Sequence, residues 1–283
     1  MSQHPPTEDG SSLDRSAKFA SKWTKRDLLA FNIRVVDVPI ARFFDLDTNI
    51  NNDTTFLPPP SVSPTLLNNT DKPSHLTPAE YQNVDDRLFF RYLELVEHPV
   101  SVLPLTHVHD FTRHLLHLLG FVSRERMYRE REKIPFVMCG ERVSVTPDIS
   151  LSDDIDYFLH IEEIKKTLSP DDLELRIIVS SIAAFHTSNI RRQEADLPTL
   201  ESRWIPAVAM VGTAPTFYRT HVTQALIDAV VAGSYPDEET TVLRLTPVPD
   251  IDIASYRKEG MRRLDNRKIV FQCFEALKKF MVI

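Results

Sequence analysis

The feature that most constrains the fold of this chain is a series of short apolar runs between about residues 134 and 211. The runs "IPFVMCG", "ERVSVTPDISL" and "DYFLHIEEIK" are apolar or alternating over strand length. A longer segment, "LELRIIVSSIAAFHTSNIRR", has apolar residues at helical spacing, and "IPAVAMVG" follows as a buried strand. With a helix before the first strand, this order predicts an α/β domain with a mixed central sheet and helices on both sides.

Helices are predicted on both sides of these strands in the sequence. Leu88 to Val96 and "VHDFTRHLLHLLGF" have helical periodicity, and Gly120 ends the second of these helices. Ser169, followed by a proline and two acids, is typical of a helix start. The remainder predicts a helix at "QALIDAVVAG", a strand at "TTVLRLTPV" and one long helix from about Ser255 to Met281.

The chain divides by composition into four parts. Its 283 residues, 42% of them hydrophobic, can bury one sizeable core. Residues 1–19 are polar and predicted to be disordered, and residues 20–45 are apolar enough to form a docking segment, through which a protein partner could bind. Residues 46–78 are rich in Asn and Pro and predict an extended linker. The α/β domain is then expected over residues 79–283.

Charge and apolar content limit the partners. A net charge of −7 argues against a surface that binds nucleic acid throughout, but it permits a locally basic cleft. The N-terminus lacks the apolar segment of a secretory signal, and the longest apolar stretch, Ile177 to Phe185, is too short to span a bilayer. Two distant cysteines match no metal or redox spacing. We therefore expect an intracellular protein, cytoplasmic or nuclear, with no membrane partner.

The candidate functional residues are concentrated where two of the predicted strands meet. Pro147-Asp148 precedes one run, and Glu163-Ile164-Lys165 ends the next. Alternation along a strand places Glu163 and Lys165 on one side and Glu162 and Lys166 on the other. A hairpin turning at residues 152–154 would bring the Asp148 carboxylate beside Glu163, where the pair could bind a divalent cation.

These residues and the order of elements resemble the PD-(D/E)xK nuclease superfamily, which has a restriction-endonuclease-like core. The chain is also similar to a group of uncharacterised fungal proteins that carry such a core. Their strand commonly reads "QEDK" and their next helix "AEAIAAFQ", where this chain has "EEIK" and "SSIAAFH". The likeness covers roughly Leu105 to Val222, and the departures at Glu162, Ile164 and His186 bear on substrate specificity.

The resemblance implies a Mg²⁺-dependent nuclease acting on DNA or RNA. Asp148 and Glu163 would hold the metal, Lys165 would orient the attacking water, and Asp110 on the first helix is a candidate third ligand. Two other interpretations stay open. Glu-Ile-Lys is also ordinary strand-end chemistry, and a nuclease-like core can serve as a catalytically silent interaction or nucleic-acid-binding module.

Several basic groups are further candidates. Arg191 and Arg192 could contact phosphate or cap the preceding helix. Arg262 and Arg263 belong to a C-terminal segment, Ser255 to Ile283, with eight Lys or Arg against three acids. That surface could follow a phosphate backbone or form the solvated face of an amphipathic helix. Four histidines, at positions 107, 109, 114 and 117, could bind zinc or be solvated helix side chains.

Overall fold

The structure of the protein is a computed structural model that describes residues 10–46, 56–68, 84–97, 105–164, 169–248 and 252–281. Its α-helices are α1 Lys25–Ala30, α2 Ile40–Phe43, α3 Pro64–Asn68, α4 Val84–Glu97, α5 Leu105–Leu118, α6 Pro170–Glu194, α7 Gln224–Ala232, α8 Ile253–Glu259 and α9 Leu264–Leu277. Its strands are β1 Ile33–Asp37, β2 Met127–Glu130, β3 Ile134–Met138, β4 Glu141–Val145, β5 Ile149–Ser152, β6 Tyr157–Glu163, β7 Ser202–Val211, β8 Ala214–Thr223 and β9 Thr240–Leu245.

The described strands form a seven-stranded sheet in the order β1-β9-β8-β7-β6-β5-β2, and β3 pairs with β4 in a separate hairpin. The pairs β1–β9 and β6–β7 are parallel, and the remaining neighbours in the large sheet are antiparallel. The predicted α/β class with a mixed central sheet is therefore confirmed. The parallel pair β6–β7 is joined by α6, because parallel neighbours need a crossover that returns the chain to the same edge.

Two apolar cores cover the two faces of the sheet. On one face α4, α5 and α9 pack on β5, β6 and β7, and Leu159 and Ile161 of β6 belong to this core. On the other face α1, α6, α7 and the β3–β4 hairpin pack together. Both faces are thus covered by helices, as the sequence predicts, and β6 is buried along its whole length.

Helix α6 begins where the sequence predicts. Ser169 accepts a hydrogen bond from the backbone N–H of Asp172, and the Asp172 carboxylate accepts one from the backbone N–H of Ser169. This reciprocal cap satisfies two backbone donors that a helix start leaves without partners, and Pro170 follows it at the first helical position. The cap thereby fixes the residue at which α6 begins.

The N-terminal segment is part of the sheet domain. Within residues 20–45, the predicted docking segment, β1 pairs with β9 and forms one edge of the large sheet. Residues 10–19 of the predicted tail are also described, and Arg15 donates a hydrogen bond to the carbonyl of Ala30 at 2.6 Å. Residues 1–9 lie outside the described chain. The domain therefore starts earlier than the boundary at residue 79 that composition suggested.

The predicted linker, residues 46–78, also differs from expectation where it is described. Residues 56–68 include the short helix α3, and Leu57 and Leu66 are buried against the core that contains α9. The segment is ordered because Leu57 and Leu66 bury apolar area, although its overall composition is rich in Asn and Pro. Residues 47–55 and 69–83 lie outside the described part.

The predicted C-terminal helix is two helices, α8 and α9, separated by a 3-10 turn at Gly260–Arg262. Gly260 has φ +49°, and a Cβ there would lie 2.1 Å from Oγ1 of Thr213. A left-handed backbone and this close approach both require glycine, so the helix ends at Glu259. Across the described residues, no helix has both the length and the apolar character needed to cross a membrane.

Candidate active site

The structure brings Asp148 and Glu163 together. Asp148 immediately precedes β5, Glu163 is the last residue of β6, and the antiparallel register pairs Ile149 with Ile161. The backbone N–H of Glu163 donates a hydrogen bond to Oδ2 of Asp148 at 3.0 Å. Two carboxylates therefore lie at one end of neighbouring strands, as the hairpin interpretation of the sequence predicts.

The two glutamates at the end of β6 face opposite sides of the sheet. Glu163 contacts His109 of α5. Glu162 contacts Arg176 of α6, with 2.7 Å between the guanidinium and the carboxylate, and accepts a hydrogen bond from Ser180 at 3.3 Å. The alternation expected along the strand holds. Glu162 is a structural anchor for α6, and Glu163 belongs to the candidate site.

His109 is the main residue of the site that sequence reasoning did not assign. Its Nδ1 lies 3.2 Å from both carboxylate oxygens of Glu163, and its Nε2 lies 3.3 Å from Oε2 of Glu130 on β2. The hydrogen bond to Glu163 raises the pKa of His109 above its usual value, although partial burial opposes the shift. A carboxylate at each ring nitrogen stabilises the doubly protonated imidazolium.

The contacts continue outward from Glu130. Nε of Arg113 forms an ion pair with Oε1 of Glu130 at 2.8 Å, and the same guanidinium donates a hydrogen bond to the Tyr128 hydroxyl at 2.6 Å. A chain of alternating charges thus runs from Glu163 through His109 and Glu130 to Arg113. It connects the buried carboxylates with the surface between α5 and β2.

The other predicted members of the site stand as follows. Lys165 lies outside the described residues, as does Lys166. Asp110, the candidate third ligand, lines a surface pocket together with Arg113 and Tyr128. Consecutive residues of a helix point about 100° apart, so His109 is directed at Glu163 while its neighbour Asp110 is directed at the pocket. The helix register therefore places the His109 imidazole, and not the Asp110 carboxylate, beside Glu163.

Burial makes the electrostatics of the carboxylates unusual. Asp148 is 1% exposed and Glu163 is 4% exposed. A buried ionised carboxylate is costly unless charges or hydrogen-bond donors compensate it. His109 contacts the Glu163 carboxylate, and the backbone N–H of Glu163 supplies a donor for Asp148. Both carboxylates are therefore buried at neighbouring strand ends, each with a polar contact in the folded chain.

The donor set fits Mg²⁺, which is commonly held by one or two carboxylates together with waters and substrate phosphates. Asp148 and Glu163 would provide two hard oxygen ligands. Within the described residues, no group of three or more His, Cys, Asp or Glu side chains could hold a metal ion. Water and substrate oxygens would thus complete the coordination. The same result gives no support to a zinc site among the histidines of α5, where Nε2 of His114 instead lies 2.8 Å from the carbonyl of Asp85.

The predicted phosphate-binding arginines have partners within the protein. Arg192 is 8% exposed and makes two hydrogen bonds to the buried Asp156, at 2.7 and 3.1 Å. Arg191 donates to the Tyr157 hydroxyl at 3.0 Å. Arg262 lies 3.4 Å from Glu97, and Arg263 lies 3.3 Å from Glu259. Arg192 has a structural role, because its guanidinium is already hydrogen-bonded to Asp156.

A second pocket, of about 460 Å³, lies at the carboxyl ends of β1 and β9 and was not predicted. Arg244 in its wall forms ion pairs with Asp37 at 2.6 Å and Glu174 at 2.7 Å. The hydrogen bond with Asp37 is the main cause that raises the pKa of Arg244 above its usual value. The three residues come from distant parts of the chain, so sequence spacing contains no signal for the pocket.

No protein-family model matches the chain, and a comparison with curated proteins finds no match either. A function for the chain is therefore inferred from its residues and their geometry.

Proposed function

We propose that this protein is a Mg²⁺-dependent nuclease that hydrolyses phosphodiester bonds of DNA or RNA. The observation that supports this most is the pairing of Asp148 and Glu163, joined through the hydrogen bond from the Glu163 N–H to the Asp148 carboxylate. Both carboxylates are buried, and contacts hold each in place: His109 for Glu163 and the Glu163 N–H for Asp148.

The topology around the pair also supports the proposal. Helix α5 precedes three antiparallel neighbours in the sheet, β2, β5 and β6, and α6 then leads to β7, which is parallel to β6. The β3–β4 hairpin lies between β2 and β5 in the chain and outside this sheet, so the predicted runs "IPFVMCG" and "ERVSVTPDISL" are not two strands of it. With that hairpin set aside, the sheet strands are similar in order to the helix, three strands, helix and strand of a restriction-endonuclease-like core. The candidate carboxylates lie at the junction of the second and third strands of that unit.

The residues of the chain can be given separate roles. Asp148 and Glu163 would hold the metal, which when bound lowers the pKa of a water and offsets charge on the scissile phosphate. Lys165 would orient the attacking water, a role that rests on the resemblance. His109 keeps a proton on Nδ1 and holds the Glu163 carboxylate in one orientation, and Glu130 fixes the ring from its other nitrogen. His109 is thus a positioning residue.

The competing function is a catalytically silent module with the same fold. One observation favours it: both carboxylate oxygens of Glu163 already contact His109, so the charge is balanced without a metal. The two functions differ in metal uptake. Titration of the protein with Mn²⁺, followed by calorimetry, should show one site that Asp148→Asn and Glu163→Gln each weaken at least about tenfold.

If the protein is instead a catalytically silent module, the wild type should take up no Mn²⁺, and the calorimetric signal should be the same in the variants. Glu162→Gln is the matched control, because the substitution is chemically the same, one residue away, and on the opposite face of β6. Unchanged metal affinity in this variant, beside the loss in Glu163→Gln, would assign the effect to the carboxylate pair. Equal losses in both variants would instead indicate a general disturbance of the strand and would count against the site.

A further inference from the structure

A pocket of about 370 Å³ lies beside the candidate active site, between α4, α5 and β2. We name it the α4–α5 pocket, and its wall consists of Tyr92, Asp110, Arg113, His114, His117, Val122 and Tyr128. The volume falls at the lower end of the range for small-ligand sites. It suits one nucleoside and is too small for a duplex.

Aromatic rings dominate this wall. The ring centroids of Tyr92 and His114 are 5.4 Å apart, and those of His114 and His117 are 6.4 Å apart. Burial lowers the pKa of His114, and its Nε2 faces the carbonyl of Asp85 at 2.8 Å. A carbonyl oxygen only accepts, so Nε2 of His114 carries a proton and donates to it. Aromatic rings on a concave surface are suited to stacking against a planar base.

A cation lies at the side of the pocket that faces the active site. The Arg113 guanidinium is centred 5.2 Å above the Tyr128 ring and has a side chain that is 41% exposed. Its ion pair with Glu130, and the contact of Glu130 with His109, connect it to Glu163. A phosphate next to the stacked base would therefore approach Arg113 on its way toward the carboxylates.

We propose that the α4–α5 pocket binds an unpaired base of a single-stranded nucleic acid, next to the phosphodiester at the active site. This inference rests on the proposed function, since it assigns the substrate class to the same site. Stacking does not depend on base identity, because every base has a π-face. In a protein with net charge −7, stacking would supply most of the affinity, and few phosphates would be contacted.

The test uses the full chain and fluorescence anisotropy in EDTA, so that binding is measured without cleavage. The probes are a labelled oligothymidylate, its complementary duplex, and a backbone of the same length that has abasic sites. Loss of one stacked base is expected to weaken binding about fivefold or more. We therefore expect the single strand to bind at least about fivefold more tightly than either other probe.

Two substitutions test whether the base binds in the α4–α5 pocket. Tyr92→Leu should lower the affinity for oligothymidylate about fivefold or more and leave the abasic probe unchanged. His117 is exposed, so His117→Ala keeps the test valid if Tyr92→Leu is unstable. Tyr235→Leu is the control, because this tyrosine packs under Arg15, away from the pocket. It should bind like the wild type.

The outcomes separate the inference from the function. Tight single-strand binding that these variants reduce, without cleavage in Mg²⁺, would support the pocket and reject the nuclease. Cleavage with equal affinity for duplex, abasic and single-stranded probes would support the nuclease and reject the pocket. A decrease in affinity with salt that corresponds to many phosphate contacts, and no effect of Tyr92→Leu or His117→Ala, would also overturn the inference.

Discussion

Replacing Arg192 separates its observed structural role from the phosphate-binding role suggested by sequence. The guanidinium makes two hydrogen bonds to Asp156, at 2.7 and 3.1 Å, and a third to the carbonyl of Pro198 at 3.2 Å. The Asp156 side chain is 3% exposed. Arg192→Met would leave this carboxylate buried beside the more distant Arg203, at 3.6 Å.

Breaking a buried ion pair by removing one partner typically costs about 3–5 kcal/mol. Because Arg203 compensates part of the charge, we expect a loss of about 3 kcal/mol in the free energy of unfolding for Arg192→Met. For a domain of this size, that corresponds to a decrease in Tm of roughly 6–12 °C. Urea denaturation followed by circular dichroism measures the free energy, and differential scanning fluorimetry measures the Tm.

The neighbouring Arg191→Met is the matched control. Arg191 is partly exposed, lies 3.8 Å from Glu132 and donates to the Tyr157 hydroxyl, so its removal should cost less than that of Arg192, about 1–2 kcal/mol. Affinity for a labelled oligonucleotide should be unchanged in the folded Arg192 variant. A stability loss below about 1 kcal/mol, together with weaker nucleic-acid binding, would refute the structural assignment and restore the phosphate-binding role.

Two further predictions concern other buried groups. His160 is fully buried, its ring nitrogens have no hydrogen-bond partner among the described residues, and burial lowers its pKa to about 3. Below pH 6.5 the unfolded chain binds a proton on His160 and the folded chain does not. The free energy of unfolding should therefore decrease by about 1.4 kcal/mol for each pH unit as the pH is lowered from 6.5 to 3. Urea midpoints at pH 7.5 and 5 should show this loss, and His160→Met should reduce it. Leu66 is 0% exposed, so Leu66→Ala should destabilise the protein by about 2–5 kcal/mol. Phe56→Ala, at a side chain that is 53% exposed, should have little effect, and equal urea midpoints for the two alanine variants would show that the segment is not packed.

Long, regular segments were predictable from the sequence. Helix α6 combines a capped start at Ser169 with apolar residues at helical spacing, so its local and tertiary preferences agree. The juxtaposition of Asp148 and Glu163 was also predictable, because a short turn between neighbouring strands leaves little freedom in their pairing. Local chemistry thus located the two carboxylates, although it assigned the helix residue beside them to Asp110 instead of His109.

Long-range packing was not predictable. Strand β1 pairs with β9 about two hundred residues later, and β2, with the polar sequence "MYRE", forms the other edge of the sheet. Arg267 belongs to the C-terminal segment whose composition suggests a basic surface. It is nevertheless 0% exposed and donates to the carbonyl of Leu66 at 2.8 Å. Composition cannot show which cations are buried, because burial depends on carbonyl groups that distant segments supply.

The proposed function rests on one chemical event, metal-dependent cleavage at the carboxylate pair. The most direct test is the single-turnover rate of oligonucleotide cleavage in Mg²⁺ by the wild type, Glu163→Gln and Glu162→Gln, each purified in parallel and assayed well below its Tm. We expect Glu163→Gln to reduce the rate at least about a hundredfold. Glu162→Gln should cleave at nearly the wild-type rate despite lower stability, since Glu162 faces α6. Equal rates in all three proteins, or no Mg²⁺-dependent cleavage by the wild type, would contradict the account.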